Sequence, residues 1–64
     1  MSLADNIKRL REKKHFSQTE LGKEVGVSQQ AILGFEKGKI KPDVYTAVAL
    51  AKKLDTTVEE LVRG

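Results

Sequence analysis

Apolar residues recur along the chain at intervals of three and four, the spacing that places side chains on one face of an α-helix. The first stripe is formed by Leu3, Ile7 and Leu10, and similar stripes follow through the rest of the sequence. No segment alternates apolar and polar residues with a period of two, as a half-buried strand would. The sequence therefore predicts an all-α fold, a compact five-helix domain over residues 1–64. The five helices are predicted at about residues 2–13, 18–25, 28–37, 44–54 and 57–62.

Capping residues mark where these helices begin and end. Ser17, followed three residues later by Glu20, forms a capping box, in which each side chain accepts a hydrogen bond from the other residue's backbone N–H. Gly26 and Gly38 stand just after the second and third stripes, where a residue without a Cβ can adopt a positive φ and end the helix. Pro42 disfavours helix at the residue before it, so residues 39–43 are predicted to form a loop.

The fourth helix has the broadest apolar stripe, which predicts a central place in the core. Tyr45, near the start of this helix, has two interpretations: its ring can cover the core, which we favour, or its hydroxyl can reach a phosphate. The members of the stripe are Val44, Ala47, Val48, Leu50, Ala51 and Leu54.

Residues 18–35 form the most informative stretch, because they read as two short helices joined by a three-residue turn. Gly22 lies inside the first of these helices, where glycine costs about 1 kcal/mol relative to alanine. A small residue at this position is expected if the second helix crosses close by. Helix, short turn and helix is the arrangement in which the second helix can enter the major groove of DNA.

From about residue 7 to residue 61 the chain resembles the Cro and lambda-repressor family, also called the XRE family. The resemblance implies a lambda-repressor-like fold and a transcriptional regulator, a repressor, that binds double-stranded DNA sequence-specifically as a homodimer on a palindromic operator. No cofactor or small-molecule ligand is expected. The residues that carry it are Gln18, Gly22, Val25, Gly26, Val27, Ser28, Gln29, Ile32, Phe35, Glu36 and Gly38.

Composition narrows the function classes. The chain has a formal net charge of +3, compatible with a nucleic-acid partner, and the basic excess sits in the first predicted helix and in the loop after the third. With no cysteine and one histidine, His15, neither a metal site nor an enzyme is expected. The longest apolar run, Ala47–Ala51, is too short to span a membrane, and we expect a cytoplasmic protein.

Three side chains are candidates to contact DNA bases. Gln29 and Gln30 open the third helix, and a glutamine amide has a donor and an acceptor placed to pair with adenine N6 and N7. Periodicity alone favours two surface glutamines, whereas the resemblance favours base contact by both. Leu33 lies four residues after Gln29, on the same face; it can touch a thymine methyl group or be an ordinary surface leucine, and both interpretations stay open.

Phosphate contacts are predicted on either side of these residues. The resemblance implies that Gln18, at the start of the second helix, meets a phosphate and braces Gln29. Lys37, Lys39 and Lys41 are candidates after the third helix, the alternative being lysines that are merely solvated. Three such contacts would make the logarithm of affinity fall with the logarithm of salt concentration with a slope of about −2.7 per subunit.

Two further sets of residues are predicted to have structural roles. The resemblance implies an ion pair between Arg11 and Glu36, both of which border apolar stripes. Val58, Leu61 and Val62, in the fifth helix, are predicted to contribute to the dimer interface. The alternative to a DNA-binding regulator is an antitoxin or another protein-partner module that uses the same fold.

Overall fold

A computed structural model describes residues 2–63, and this part of the chain contains five α-helices and no strand. Residues 1 and 64 of the predicted domain lie outside the described residues. The all-α, five-helix class is confirmed. The helices are α1 (Leu3–Lys13), α2 (Gln18–Val25), α3 (Gln29–Glu36), α4 (Val44–Lys53) and α5 (Val58–Val62).

Each helix begins after a residue whose side chain caps it, and for this reason the helix starts lie close to those predicted from the sequence. Ser17 Oγ accepts from the backbone N–H of Glu20 at 3.0 Å, and Glu20 Oε1 accepts from that of Ser17 at 2.8 Å. Asp43 Oδ1 accepts from the backbone N–H of Thr46 at 2.8 Å, and this bond lowers the pKa of Asp43. Ser28 is the N-cap of α3: its backbone is extended and its Oγ accepts from the backbone N–H of Ala31 at 3.1 Å, so α3 begins at Gln29.

The helices enclose one core, with α3 packed between α1 and α2. Helix α4 packs on α2 and α5, and α1 also packs on α5. Aliphatic side chains dominate the core, as the low aromatic content requires. The buried cluster comprises Ile7, Leu21, Ile32, Phe35, Leu50, Ala51, Leu54 and Leu61.

The turn between α2 and α3 depends on two glycines. Gly26 has φ of +82°, and its N–H and that of Val27 both donate to the carbonyl oxygen of Gly22, at 2.8 and 2.9 Å. A Cβ on Gly22 would lie 2.6 Å from the carbonyl oxygen of Val27. The neighbour that excludes a side chain at Gly22 is therefore the turn backbone, and not the body of the second helix as the sequence suggested.

In helices α4 and α5, the apolar side chains that are buried differ from those that the sequence predicted. Val44, Val48 and Tyr45 are exposed, Tyr45 by 83%, so its ring does not cover the core. The opposite face of α4, with Leu50 at its centre, suffices to fill the space above α2 and α5. Leu61, which the sequence predicts to contribute to a dimer interface, is 0% exposed and belongs to the monomer's own core, so it has no free surface to offer a second copy.

A buried asparagine, which no sequence pattern indicated, holds α5 against α1. The Nδ2 of Asn6, a residue only 4% exposed, donates to the carbonyl oxygens of Leu61 and Arg63 at 2.8 and 2.9 Å. The last carbonyls of a helix lack intrahelical partners, and Asn6 satisfies two at this end. A helix of five residues is not stable alone, so α5 depends on this bond and on Leu61 for its place.

The close approach at Gly22 predicts that Gly22→Ala destabilises the domain, by about 1–3 kcal/mol, although alanine is the better helix former. Gly34→Ala is the matched control, because it is the same change inside α3. At Gly34 the new Cβ would meet the side chain of Ile40, which is 50% exposed and can move aside. At Gly22 it would meet the backbone carbonyl of Val27, which cannot move aside without deforming the turn. Urea unfolding measures both; a Gly22→Ala protein as stable as Gly34→Ala would contradict the prediction.

Candidate nucleic-acid interface

Helix α3 turns one face into the core and presents the other outward. Ile32 and Phe35 are buried, whereas Gln30 is exposed and Gln29 and Leu33 are half-buried at the surface. We call Gln29, Gln30 and Leu33 the reading face, after the base contacts that the sequence predicts for them. They occupy positions i, i+1 and i+4 and therefore lie together on one side of the helix. Leu33 also lies outside the apolar cluster that fills the core.

A chain of side-chain hydrogen bonds connects the reading face to the interior. Gln29 Nε2 donates to Gln18 Oε1 at 2.7 Å, and Gln18 Nε2 donates to Glu36 Oε1 at 3.1 Å. Arg11 completes it, since its Nε and Nη2 donate to Glu36 Oε2 and Oε1 at 2.6 and 3.2 Å. We call these four residues the amide–carboxylate network. It joins α1, α2 and both ends of α3.

The inner half of this network is almost completely shielded from water. The side chain of Glu36 is 3% exposed and that of Arg11 is 11% exposed. The hydrogen bond to Glu36 raises the pKa of Arg11, so the guanidinium stays charged. Arg11 Nη1 also donates to the carbonyl oxygen of Phe16 at 2.8 Å, which ties the connection between α1 and α2 to the same point.

Three exposed lysines follow the reading face: Lys37, the C-cap of α3, and then Lys39 and Lys41 in the loop. Among residues 2–63, none has a carboxylate oxygen within 4 Å of its ammonium group, so their charge faces solvent. The backbone N–H of Lys39 donates to the carbonyl oxygen of Gly34 at 3.0 Å. This bond holds the start of the loop against the last turn of α3.

Gln18 also offers its backbone N–H, because it is the first residue of α2. The first backbone N–H groups of a helix have no intrahelical partner, and Ser17 caps that of Glu20. The N–H groups of Gln18 and Thr19 therefore remain available to an anion at the end of the helix where the macrodipole favours one.

A metal site, a membrane-spanning helix and a ligand pocket are the other kinds of functional feature that residues 2–63 could contain. No group of His, Asp or Glu side chains there is arranged to hold a metal ion. No helix in this range is long and apolar enough to cross a membrane. A groove of about 240 Å³ lies between the start of α1 and the loop after α3, and no carboxylate or histidine lines it. Its walls are Ser2, Leu3, Ala4, Phe35, Gly38, Ile40 and Lys41.

Comparison with known proteins places this geometry in context. The sequence pattern of the family described as Helix-turn-helix matches residues 7–61. An HTH-type transcriptional regulator of Archaeoglobus fulgidus is 36% identical over 55 residues, which cover 86% of this chain and 78% of that protein. The HTH-type transcriptional regulator YqaE of Bacillus subtilis is 26% identical over 61 residues; these cover 95% of this chain but only 53% of YqaE, so the chain spans about half of that relative.

Solved structures of two DNA complexes have the same fold. The P22 c2 repressor in complex with synthetic operator 9T superposes with a TM-score of 0.96 at 33% identity, covering 100% of this chain and 97% of that one. SinR, described as the master regulator for biofilm formation, in complex with DNA, superposes with a TM-score of 0.85 at 25% identity, covering 92% and 95%. The fold is that of lambda-repressor-like DNA-binding domains.

The burial of the ion pair predicts that Glu36→Ala costs about 3–5 kcal/mol of unfolding free energy, because Arg11 would be left charged without its partner. That is a large share of the stability of a small domain. Glu24→Ala is the control: Glu24 pairs with Lys53 at 3.2 Å, but both side chains are nearly half exposed, and we expect a loss within about 1 kcal/mol. Thermal and urea unfolding followed by circular dichroism measure both, and similar losses would refute the prediction.

Proposed function

The chain belongs to the helix-turn-helix family of transcriptional regulators, and we propose that it is a cytoplasmic repressor that binds double-stranded DNA sequence-specifically, as a homodimer on a palindromic operator. The observation that carries this proposal is the reading face of α3, held from behind by the amide–carboxylate network and followed along the chain by three exposed lysines. The P22 c2 repressor, bound to its synthetic operator, has this fold over the whole chain and supports the proposal.

Base recognition falls to the reading face, with α3 lying in the major groove. Gln29 and Gln30 lie in its first turn, the part of a recognition helix that meets base edges. Each amide can make a bidentate pair with adenine, worth about 1–3 kcal/mol of discrimination against another base. Leu33, one turn further along the same face, contacts a thymine methyl group.

Phosphate contacts come from both flanks of α3. On one side Gln18 offers its backbone N–H at the start of α2, and on the other Lys37, Lys39 and Lys41 offer full charges. These contacts hold the protein on any DNA and orient α3, but they carry no sequence information.

A homodimer follows from the small size of the reading face, because three side chains touch too few base pairs for a unique site. Two copies would read half-sites whose centres lie about 10 base pairs apart. With Leu61 in the core, Val62, which is 51% exposed, and Val58, which is half-buried, remain as candidates in α5. The exposed face of α4, with Tyr45 and Val48, offers further apolar surface for a second copy.

The proposed function is tested by selecting random DNA duplexes with the protein at about 150 mM salt and sequencing the survivors. We expect a palindromic motif with half-sites about 10 base pairs apart, centre to centre. Gln29→Ala is expected to remove the preference at one base pair of each half-site. Selection that yields no motif, with binding that vanishes as salt rises, would refute sequence-specific recognition.

The lysine contacts predict a specific salt dependence. Replacing Lys39 by alanine is expected to reduce the slope of log affinity against log salt by about 0.9 per subunit, and to weaken binding to all sequences alike. Lys52→Ala is the control, because Lys52 is an exposed lysine near the far end of α4. Fluorescence anisotropy at several salt concentrations gives both slopes; equal slopes would exclude Lys39 as a phosphate contact.

The dimer proposal predicts that Val62→Lys weakens cooperative binding to the full palindrome and leaves binding to an isolated half-site unchanged. A charge at this position would be buried without a partner when two copies meet. Val62→Leu is the matched control, since it keeps an apolar side chain there. If both variants bound the palindrome with unchanged cooperativity, Val62 would lie outside the interface.

A further inference from the structure

We propose that Glu36, which is buried behind α3 and cannot touch DNA, sets the base preference of Gln29 by fixing the orientation of the Gln18 amide. Glu36 is thus a positioning residue for the selection of adenine over guanine. The inference rests on the proposed function, because it assigns the chemistry of the reading face that would contact the bases. It gives the buried ion pair a role in specificity in addition to its role in stability.

The first step is the chemistry of a carboxylate. An ionised carboxylate only accepts hydrogen bonds, and both oxygens of Glu36 already accept from the charged guanidinium of Arg11. Any group placed against Glu36 Oε1 must therefore donate. Gln18 does so with Nε2 at 3.1 Å, and a reversed amide would place its oxygen against an oxygen at that distance. The orientation of the Gln18 amide is thus determined by the Glu36 carboxylate, which can only accept hydrogen bonds.

The second step carries this orientation to the surface. With Nε2 turned inward, Gln18 presents only its oxygen to Gln29, and an oxygen requires a donor. Gln29 satisfies it with Nε2 at 2.7 Å, which commits one of the two N–H donors of Gln29. What remains for a ligand is one N–H and the carbonyl oxygen, lying side by side.

The third step compares this remainder with the edges of the purines. In the major groove adenine presents one acceptor, N7, and one donor, the N6 amino group, whereas guanine presents two acceptors, N7 and O6. An unbraced glutamine can turn both of its N–H donors towards guanine. Braced Gln29 has one left, and its oxygen would oppose guanine O6. The network therefore favours adenine, because it prevents Gln29 from turning two N–H donors towards guanine.

Two variants test the inference, by anisotropy on duplexes that carry adenine or guanine at the position whose preference Gln29→Ala abolishes. Gln18→Leu removes the brace and leaves the Arg11–Glu36 pair intact. Glu36→Gln keeps the shape but gives position 36 a donor as well as an acceptor, so that Gln18 can reverse. We expect the preference for adenine over guanine to fall by about five-fold or more in each, out of the roughly 5- to 150-fold that one bidentate contact provides.

Controls separate this role from a structural one. Glu24→Gln makes the same chemical change at the surface and should leave the ratio unchanged. A loss of affinity by the same factor on both duplexes would mean that Glu36 and Gln18 only support the fold, and would overturn the inference. Should Glu36→Gln prove unfolded by circular dichroism, Gln18→Leu still tests the brace through which Glu36 would act, and an unchanged adenine preference in Gln18→Leu would overturn the inference.

The outcome also separates this inference from the proposed function. If the wild-type protein selects no motif, the proposed function fails. If it selects a motif and the variants keep the full adenine preference, only the inference fails. Without DNA, nuclear magnetic resonance of the Gln29 side-chain amide provides a second readout: its two N–H protons should become more alike in Gln18→Leu, and an unchanged spectrum would show that no brace exists.

Discussion

The ion pair between Arg11 and Glu36 is the contact on which the rest of the arrangement depends. Burying two charges costs several kcal/mol each, and their attraction offsets that cost only when the geometry is good and the remaining oxygen sites are satisfied. Here both oxygens of Glu36 accept from the guanidinium, and Gln18 occupies one remaining site. The pair fixes the last residue of α3 against α1 in a single orientation, which an apolar contact would leave less defined.

The other end of α3 is fixed by backbone geometry. Gly22 lets the turn approach α2 closely, and Gly26 supplies the positive φ that turns the chain towards α3. With a rigid turn at its start and a buried carboxylate at its end, α3 cannot shift along α2 without breaking one of the two. The backbone of the reading face is therefore positioned by residues that lie outside it.

The sequence predicted the helices well, because both apolar spacing and capping are local signals. It predicted less about which apolar side chains are covered: Val44 and Leu61 look alike in the pattern, yet a small domain can enclose only one face of each helix. Asn6 gave no signal at all, since its partners are carbonyl groups 55 and 57 residues away. Resemblance implied the pairing of Gln18 with Gln29 and of Arg11 with Glu36. The hydrogen bond from Gln18 to Glu36, which joins these two pairs, is seen only in the structure.

In the proposed function, attraction to DNA and discrimination between bases depend on different parts of this domain. The lysines after α3 are exposed charges, whose effect on binding is screened as salt rises. The amide–carboxylate network is neutral at the surface and shielded inside, so salt hardly reaches it. Since the two sets share no residue, the proposals together imply that a change at a lysine would alter how tightly DNA is held, whereas a change behind α3 would alter which sequence is held. If the inference about Glu36 holds, the specificity of such a domain is set in part from the core, at a position that never meets the DNA.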